Sequence, residues 1–150
     1  MTEALFYHLE KARLENVLPE LLERTLERGW RALVRCGDRA SVERIDELLW
    51  TYRDDSFLPH SADPALASRD AVHVTDDAEL ANGADLLFLV DGARADAARI
   101  SDYKRCVLIF NGLDDAELAA ARAFWKDARA NGAEATYWRQ SAEGRWKKQE

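Results

Sequence analysis

The chain has 150 residues, of which 33% are charged and 47% hydrophobic, and its formal net charge is -7. That length suits one domain with a core of its own, and the acidity argues against a protein that coats nucleic acid through its whole surface. The longest apolar runs, 86–90 and 106–110, are five residues each, too short to span a bilayer.

Residues 4–9 (ALFYHL) read as a first strand. A helix is predicted over 16–28, with Val17, Leu18, Leu21, Leu22 and Leu26 at helical spacing and Pro19 in its first turn. Gly29 stands where a C-cap glycine belongs. A second strand is expected at 31–36. Gly37 then turns the chain, and Asp38 or Ser41 caps a helix that carries Val42, Ile45, Leu48 and Leu49 as far as about Trp50.

A polar loop holding Pro59 and Pro64 fills 52–69, followed by a short strand at 71–75. A buried strand at 86–90 is left through an Asp91-Gly92 turn. A weakly patterned helix at 94–103 leads to a strand at 105–111. Asp114 and Asp115 open a helix over 116–131, where negative charge favours the N-terminus, and Gly132 closes it. A β-prone run at 135–139 precedes a ragged polar end. Apolar, non-alternating strands between amphipathic helices mean an α/β fold with a largely parallel sheet. No repeat or linker divides the chain, so residues 1–150 are expected to form a single domain.

The chemistry that often accompanies such a layout is missing. Neither G-x-x-x-x-G-K-[ST] nor G-x-G-x-x-G occurs, and the first strand runs through Leu9-Glu10-Lys11 without glycines to cradle phosphate. His8, His60 and His73 lack metal-ligand spacing and read as packed residues; His60, beside Pro59, is expected to pack or bond to backbone. Cys36 and Cys106 lie inside apolar strands, as buried thiols of a reducing compartment do. Asp54-Asp55, Asp76-Asp77 and Asp114-Asp115 are adjacent pairs of the kind that face solvent. The expectation is a binding protein with no cofactor and no metal, not an enzyme. The N-terminus has no charged region followed by an apolar stretch, so no signal peptide is expected and the location is taken as cytoplasmic.

Two stretches carry more information. In the first, a helix ends at Trp50 and a loop follows with Phe57, Leu58, Pro59 and His60. Its aromatics either anchor a partner or pack down on the sheet. In the second, Arg122, Trp125, Lys126 and Arg129 recur at i, i+3, i+4 and i+7, one helix face. From Arg122 onward the sequence holds seven Lys/Arg against four Asp/Glu, in a chain with 21 against 28 overall. Such a stripe is either a solvated face or a surface suited to a carboxylate and an apolar ring together.

With these residues in view, the sequence resembles the chi subunit family of bacterial DNA polymerase III holoenzyme. The opening FYHL, the pattern L-W-x5-S-F-x-P-H from Leu49 to His60, and R-x2-[YW]-K-x2-R from Arg122 to Arg129 carry the likeness. The resemblance implies a Rossmann-like fold without nucleotide chemistry, used as a clamp-loader accessory subunit. It further implies that Arg122, Trp125, Lys126 and Arg129, with Trp50 nearby, hold the acidic C-terminal tail of single-stranded-DNA-binding protein. Phe57, with Leu58, Pro59 and His60, would meet the psi subunit or an alternative helicase. Trp125 stands where the family often has tyrosine, and the Glu143–Lys148 extension either adds to the site or trails in solvent. No direct DNA contact is expected on this reading. The alternatives are a direct single-stranded nucleic-acid-binding module and a helicase-partner adaptor in DNA repair.

Overall fold

The computed structural model describes residues 2–52, 60–63, 71–77, 83–140 and 145–149. Among them, eight strands form one sheet: β1 (Glu3–Leu9), β2 (Ala32–Cys36), β3 (His60–Ser61), β4 (Val72–Thr75), β5 (Leu86–Val90), β6 (Arg105–Asn111), β7 (Glu134–Gln140) and β8 (Trp146–Gln149). Their order across the sheet is β3-β4-β2-β5-β6-β1-β7-β8. All neighbours run parallel except β7 and β8, which are antiparallel. Helices α1 (Leu14–Glu27), α2 (Arg39–Thr51) and α3 (Asp115–Ala130) complete the domain.

Strand alternation sorts the side chains into two cores. Leu5, Val34, Phe88, Val90, Val107 and Ile109 point to one face, where α1 supplies Leu18 and Leu22 and α2 supplies Val42, Ile45 and Leu49. Phe6, Leu33, Leu87, Leu89 and Phe110 point to the other, where α3 lays down Ala121 and Ala128. The chain leaves β1 for β2 on the first face and leaves β6 for β7 on the second, so the crossover direction reverses at β1 and β6.

Four expectations need correction. The segment 94–103 is not a helix; only a 3-10 turn, Ile100–Asp102, forms there. Its buried positions are Ala97 and Ile100, too little apolar surface to hold a helix down, and Asp96 instead accepts a bond from the Ala98 amide at 2.9 Å. The loop 52–69 contributes a short edge strand, β3, paired with β4. Within the expected ragged end, Trp146–Gln149 form a strand: Arg139 pairs with Lys147 and Trp138 with Lys148, so β8 closes the far edge of the sheet. Helix α1 also begins two residues early, which moves Pro19 out of the first turn.

Both cysteines are buried and free, and burial raises each thiol to about 12. A thiolate is the reactive form, so a disulfide reagent should modify neither thiol in the native chain and both after denaturation. Rapid modification of either one under native conditions would place it elsewhere than in the sheet.

Candidate functional site

Helix α3 starts on a side-chain cap: the Asp114 carboxylate accepts from the Ala116 and Glu117 amides at 2.9 and 3.2 Å. Gly132, at φ 86°, reverses the chain into β7. The residues α3 buries completely are alanines, so the helix sits close to the sheet and its larger side chains reach sideways. Trp125 does so most clearly. Its ring meets Phe6 of β1 edge-on at 5.1 Å and Tyr137 of β7 at 6.0 Å, and remains partly exposed. The Arg129 guanidinium lies 6.0 Å from the same ring, within cation–π range. Arg122 and Lys126 are exposed on this flank.

Beside Arg122 the ends of β1 and β7 add a polar cluster that the helical spacing could not announce. His8 is buried and hydrogen-bonds through Nδ1 to the Tyr137 hydroxyl. Its Nε2 lies 2.9 Å from Glu10 Oε1, close but poorly aligned. Glu10 in turn pairs with Arg139. Burial, reinforced by Arg139 and more weakly by Arg122, holds the His8 imidazole below its ordinary 6.5, against the opposing pull of Glu10. Glu10 is lowered, chiefly by its bond to Arg139. Burial raises Tyr137, while Arg139 and Arg122 act against it. The face therefore holds three α3 cations, a fourth from β7, an indole and a phenol.

His8 fits only because residue 112 is glycine: a Cβ there would stand 1.9 Å from His8 Nε2. Nothing in the local sequence of β1 announced this contact, because the partner is over a hundred residues away.

The other sequence-predicted residues lie elsewhere. Trp50 ends α2, on the opposite face of the sheet and at its other edge, and its ring packs at 4.5 Å on His60. The structure thus does not bring Trp50 to Arg122, a correction to the expected tail site. Trp50 is nonetheless 54% exposed. The His60 side chain is buried beneath it, with Nε2 3.2 Å from both the Asp46 carbonyl and Asp46 Oδ1, which leaves its ring no free surface to offer. Phe57, Leu58 and Pro59 fall outside the described residues.

The crevice where such sheets usually hold ligands, outside the carboxyl ends of β1 and β6, is a cleft of about 490 Å³. Glu10, Glu15, Asp91 and Glu117 outnumber Lys11 and Arg13 around it. A phosphate would meet mostly like charge there. No group of three or more possible metal-ligating side chains occurs among the described residues, and none of the described helices is long and apolar enough to cross a membrane.

The geometry is that of a mostly parallel α/β domain with an acidic switch-point crevice and a cation–indole flank. Residues 1–136 match the family model described as DNA polymerase III chi subunit, HolC. The chain belongs to that family. It is 24% identical over 112 residues to a probable DNA polymerase III subunit chi of Rickettsia prowazekii, covering 73% of this chain and 66% of that one. It is 35% identical over 75 residues to DNA polymerase III subunit chi of Pseudomonas aeruginosa, covering 47% of this chain and 49% of that one. The chain thus spans just under two thirds and about half of these relatives' lengths. The α3 face lies inside the matched residues; Tyr137, Arg139 and β8 lie beyond them.

Two measurements check the His8 cluster. A depressed imidazole stabilises the fold above pH 6.5, and that contribution is lost as pH falls through the folded-state value. An NMR titration should give His8 a midpoint below 6.5; a midpoint above it would mean that Glu10 dominates. Separately, Gly112→Ala should lower stability by about 1–3 kcal/mol in denaturant titration, because the imidazole must move. An unchanged midpoint would show that His8 is not held there.

Proposed function

We propose that this chain is a non-catalytic accessory subunit of the DNA polymerase III clamp-loader complex in the cytoplasm. In this reading the α3 face receives the acidic C-terminal tail of single-stranded-DNA-binding protein, and a second surface links the chain to the psi subunit or an alternative helicase. Membership of the chi family supports the assembly. The observation that carries the tail site is the position of Arg129 and the partly exposed Trp125 ring on one flank of α3, with Arg122 next to Tyr137 and Arg139.

The grip has two parts. A phenylalanine ring laid against Trp125 and Tyr137 contributes about 1.5–3 kcal/mol by leaving water. Exposed ion pairs from Lys126 and Arg129 to acidic side chains add about 0.2–1 kcal/mol each, less in salt. A terminal carboxylate taken by both guanidinium nitrogens of Arg122 does somewhat better. After the cost of association, a short tail should bind with a dissociation constant on the order of micromolar. Weak single contacts suit the task, because many tails on coated DNA raise the effective concentration while each one exchanges. Glu10 keeps Arg139 extended beside the site.

The second surface rests on the L-W-x5-S-F-x-P-H stretch. Trp50 supplies its exposed aromatic, seated on a buried His60. Its distance from α3 lets the two contacts be made together.

A peptide ending in acidic residues and phenylalanine should bind the chain, and amidating its terminus should weaken it. Arg122→Ala should lower affinity about threefold to tenfold in isothermal titration, whereas Trp50→Ala should leave it unchanged. Equal affinity for the wild type and Arg122→Ala would remove α3 from the account.

A further inference from the structure

Trp30, just before β2, is ringed by cations from two distant parts of the chain. The Arg28 and Arg105 guanidinium carbons lie 5.2 and 5.1 Å from its ring centre, and Lys104 Nζ lies 5.3 Å from it. Beside it is a cavity of about 120 Å³, bounded by Arg24, Arg28, Arg105, Trp30 and Tyr7 over a floor that includes Leu5 and Phe88. Glu20, Glu3 and Asp85 pair with Arg24, Arg105 and Lys104 at 3.1, 3.7 and 3.4 Å. Arg28 has no carboxylate partner among the described residues.

Tyr7 carries this surface on toward the edge of the sheet. Its ring lies parallel to Trp138 at 6.3 Å and edge-on to Trp146 at 5.1 Å. Lys148 is the cross-strand partner of Trp138, so it projects from the same side. Helix α3 covers the other side of β6 and β1 and packs against β7 there. The strip thus holds three of the chain's five tryptophans, all partly exposed, and five cations against three carboxylates. This segregation escapes a net charge of -7 taken over the whole chain.

We infer that this strip binds single-stranded nucleic acid, with bases stacked on Trp138 and Trp146 and phosphates seated among Arg24, Arg28 and Arg105. Unpaired bases each offer a flat face to an indole, and stacking tolerates any sequence. The Arg24–Glu20 pair is of the exposed kind that contributes little, and the Arg105–Glu3 pair is long at 3.7 Å, so a phosphate can take either guanidinium at small cost. An acidic peptide with a single terminal ring would satisfy the cations yet leave one of the two β7–β8 indoles unmatched. The site lies across the sheet from α3 and does not depend on the tail reading. Trp138 and all of β8 lie beyond the residues that match the family model, whereas Tyr7, Arg24, Arg28, Trp30, Lys104 and Arg105 lie within them.

The test is fluorescence anisotropy of a labelled oligothymidylate with the full chain, at several salt concentrations. Binding should weaken as salt rises, and a duplex of the same length should bind less tightly. Arg28→Ala, an exposed change that spares the core, should weaken binding several-fold and lower the salt slope by about one. Trp138→Ala should weaken it about tenfold, and Arg122→Ala should leave it intact. The inference is overturned by no binding at low salt, by equal duplex affinity, or by insensitivity to Arg28→Ala. It is also overturned if an acidic peptide that ends in phenylalanine displaces the oligonucleotide and itself loses affinity in Arg28→Ala.

Discussion

The wedge of Trp125 between Phe6 and Tyr137 sets the position of everything on the α3 flank. Because α3 buries only alanines completely, at Ala121 and Ala128, this indole and its neighbour Phe124 supply most of the bulky contact between helix and sheet. The same ring that fastens the helix also forms the apolar wall of the site. On the proposed reading, stability and recognition are therefore coupled at one residue. Truncating Trp125 would disturb both, whereas Arg122 and Lys126, which stand in solvent, isolate recognition alone. The arginines need no elaborate support, since helical spacing alone aligns them with the wall.

The rest of the fold favours a helix flank over the crevice for the proposed binding. A doubly wound sheet offers a crevice at its switch point, and enzymes of this architecture place glycine-rich turns and helix N-termini there. In this chain those turns carry Glu10 and Asp91, and the helix N-termini carry Glu15 and Glu117. Glu10 is committed to Arg139 and His8, and Asp91 is committed to Arg44. The carboxylates stabilise their own loops and leave the crevice unsuited to phosphate. Cations are displaced to the two sides of the sheet, where they meet aromatics.

Much of this was legible in the sequence, for identifiable reasons. Strands such as Leu86–Val90 are apolar throughout and short, which only a doubly covered parallel strand explains. The α3 stripe was legible because period 3.6 is local. The Tyr137, Arg139 and His8 partners were not, because they meet through strand pairing between residues more than a hundred positions apart. The same holds for β8, whose polar sequence shows its strand character only beside β7. Trp50 was misplaced for a related reason: its place beside Arg122 came from the family likeness alone, and the crossover direction puts α2 and α3 on opposite faces. The segment 94–103 read as a helix because alanine favours one, yet alanine and one isoleucine bury too little area to hold it.

The central claim is that one flank, made by α3 and the adjoining part of β7, receives a carboxylate and an aromatic ring together. Backbone amide shift mapping of the full chain with an acidic peptide ending in phenylalanine tests it most directly. The account predicts that perturbed amides cluster between Arg122 and Arg129 and at Tyr137 to Arg139, with the Trp50 and His60 amides unmoved. Shifts centred on the end of α2, with α3 silent, would contradict it.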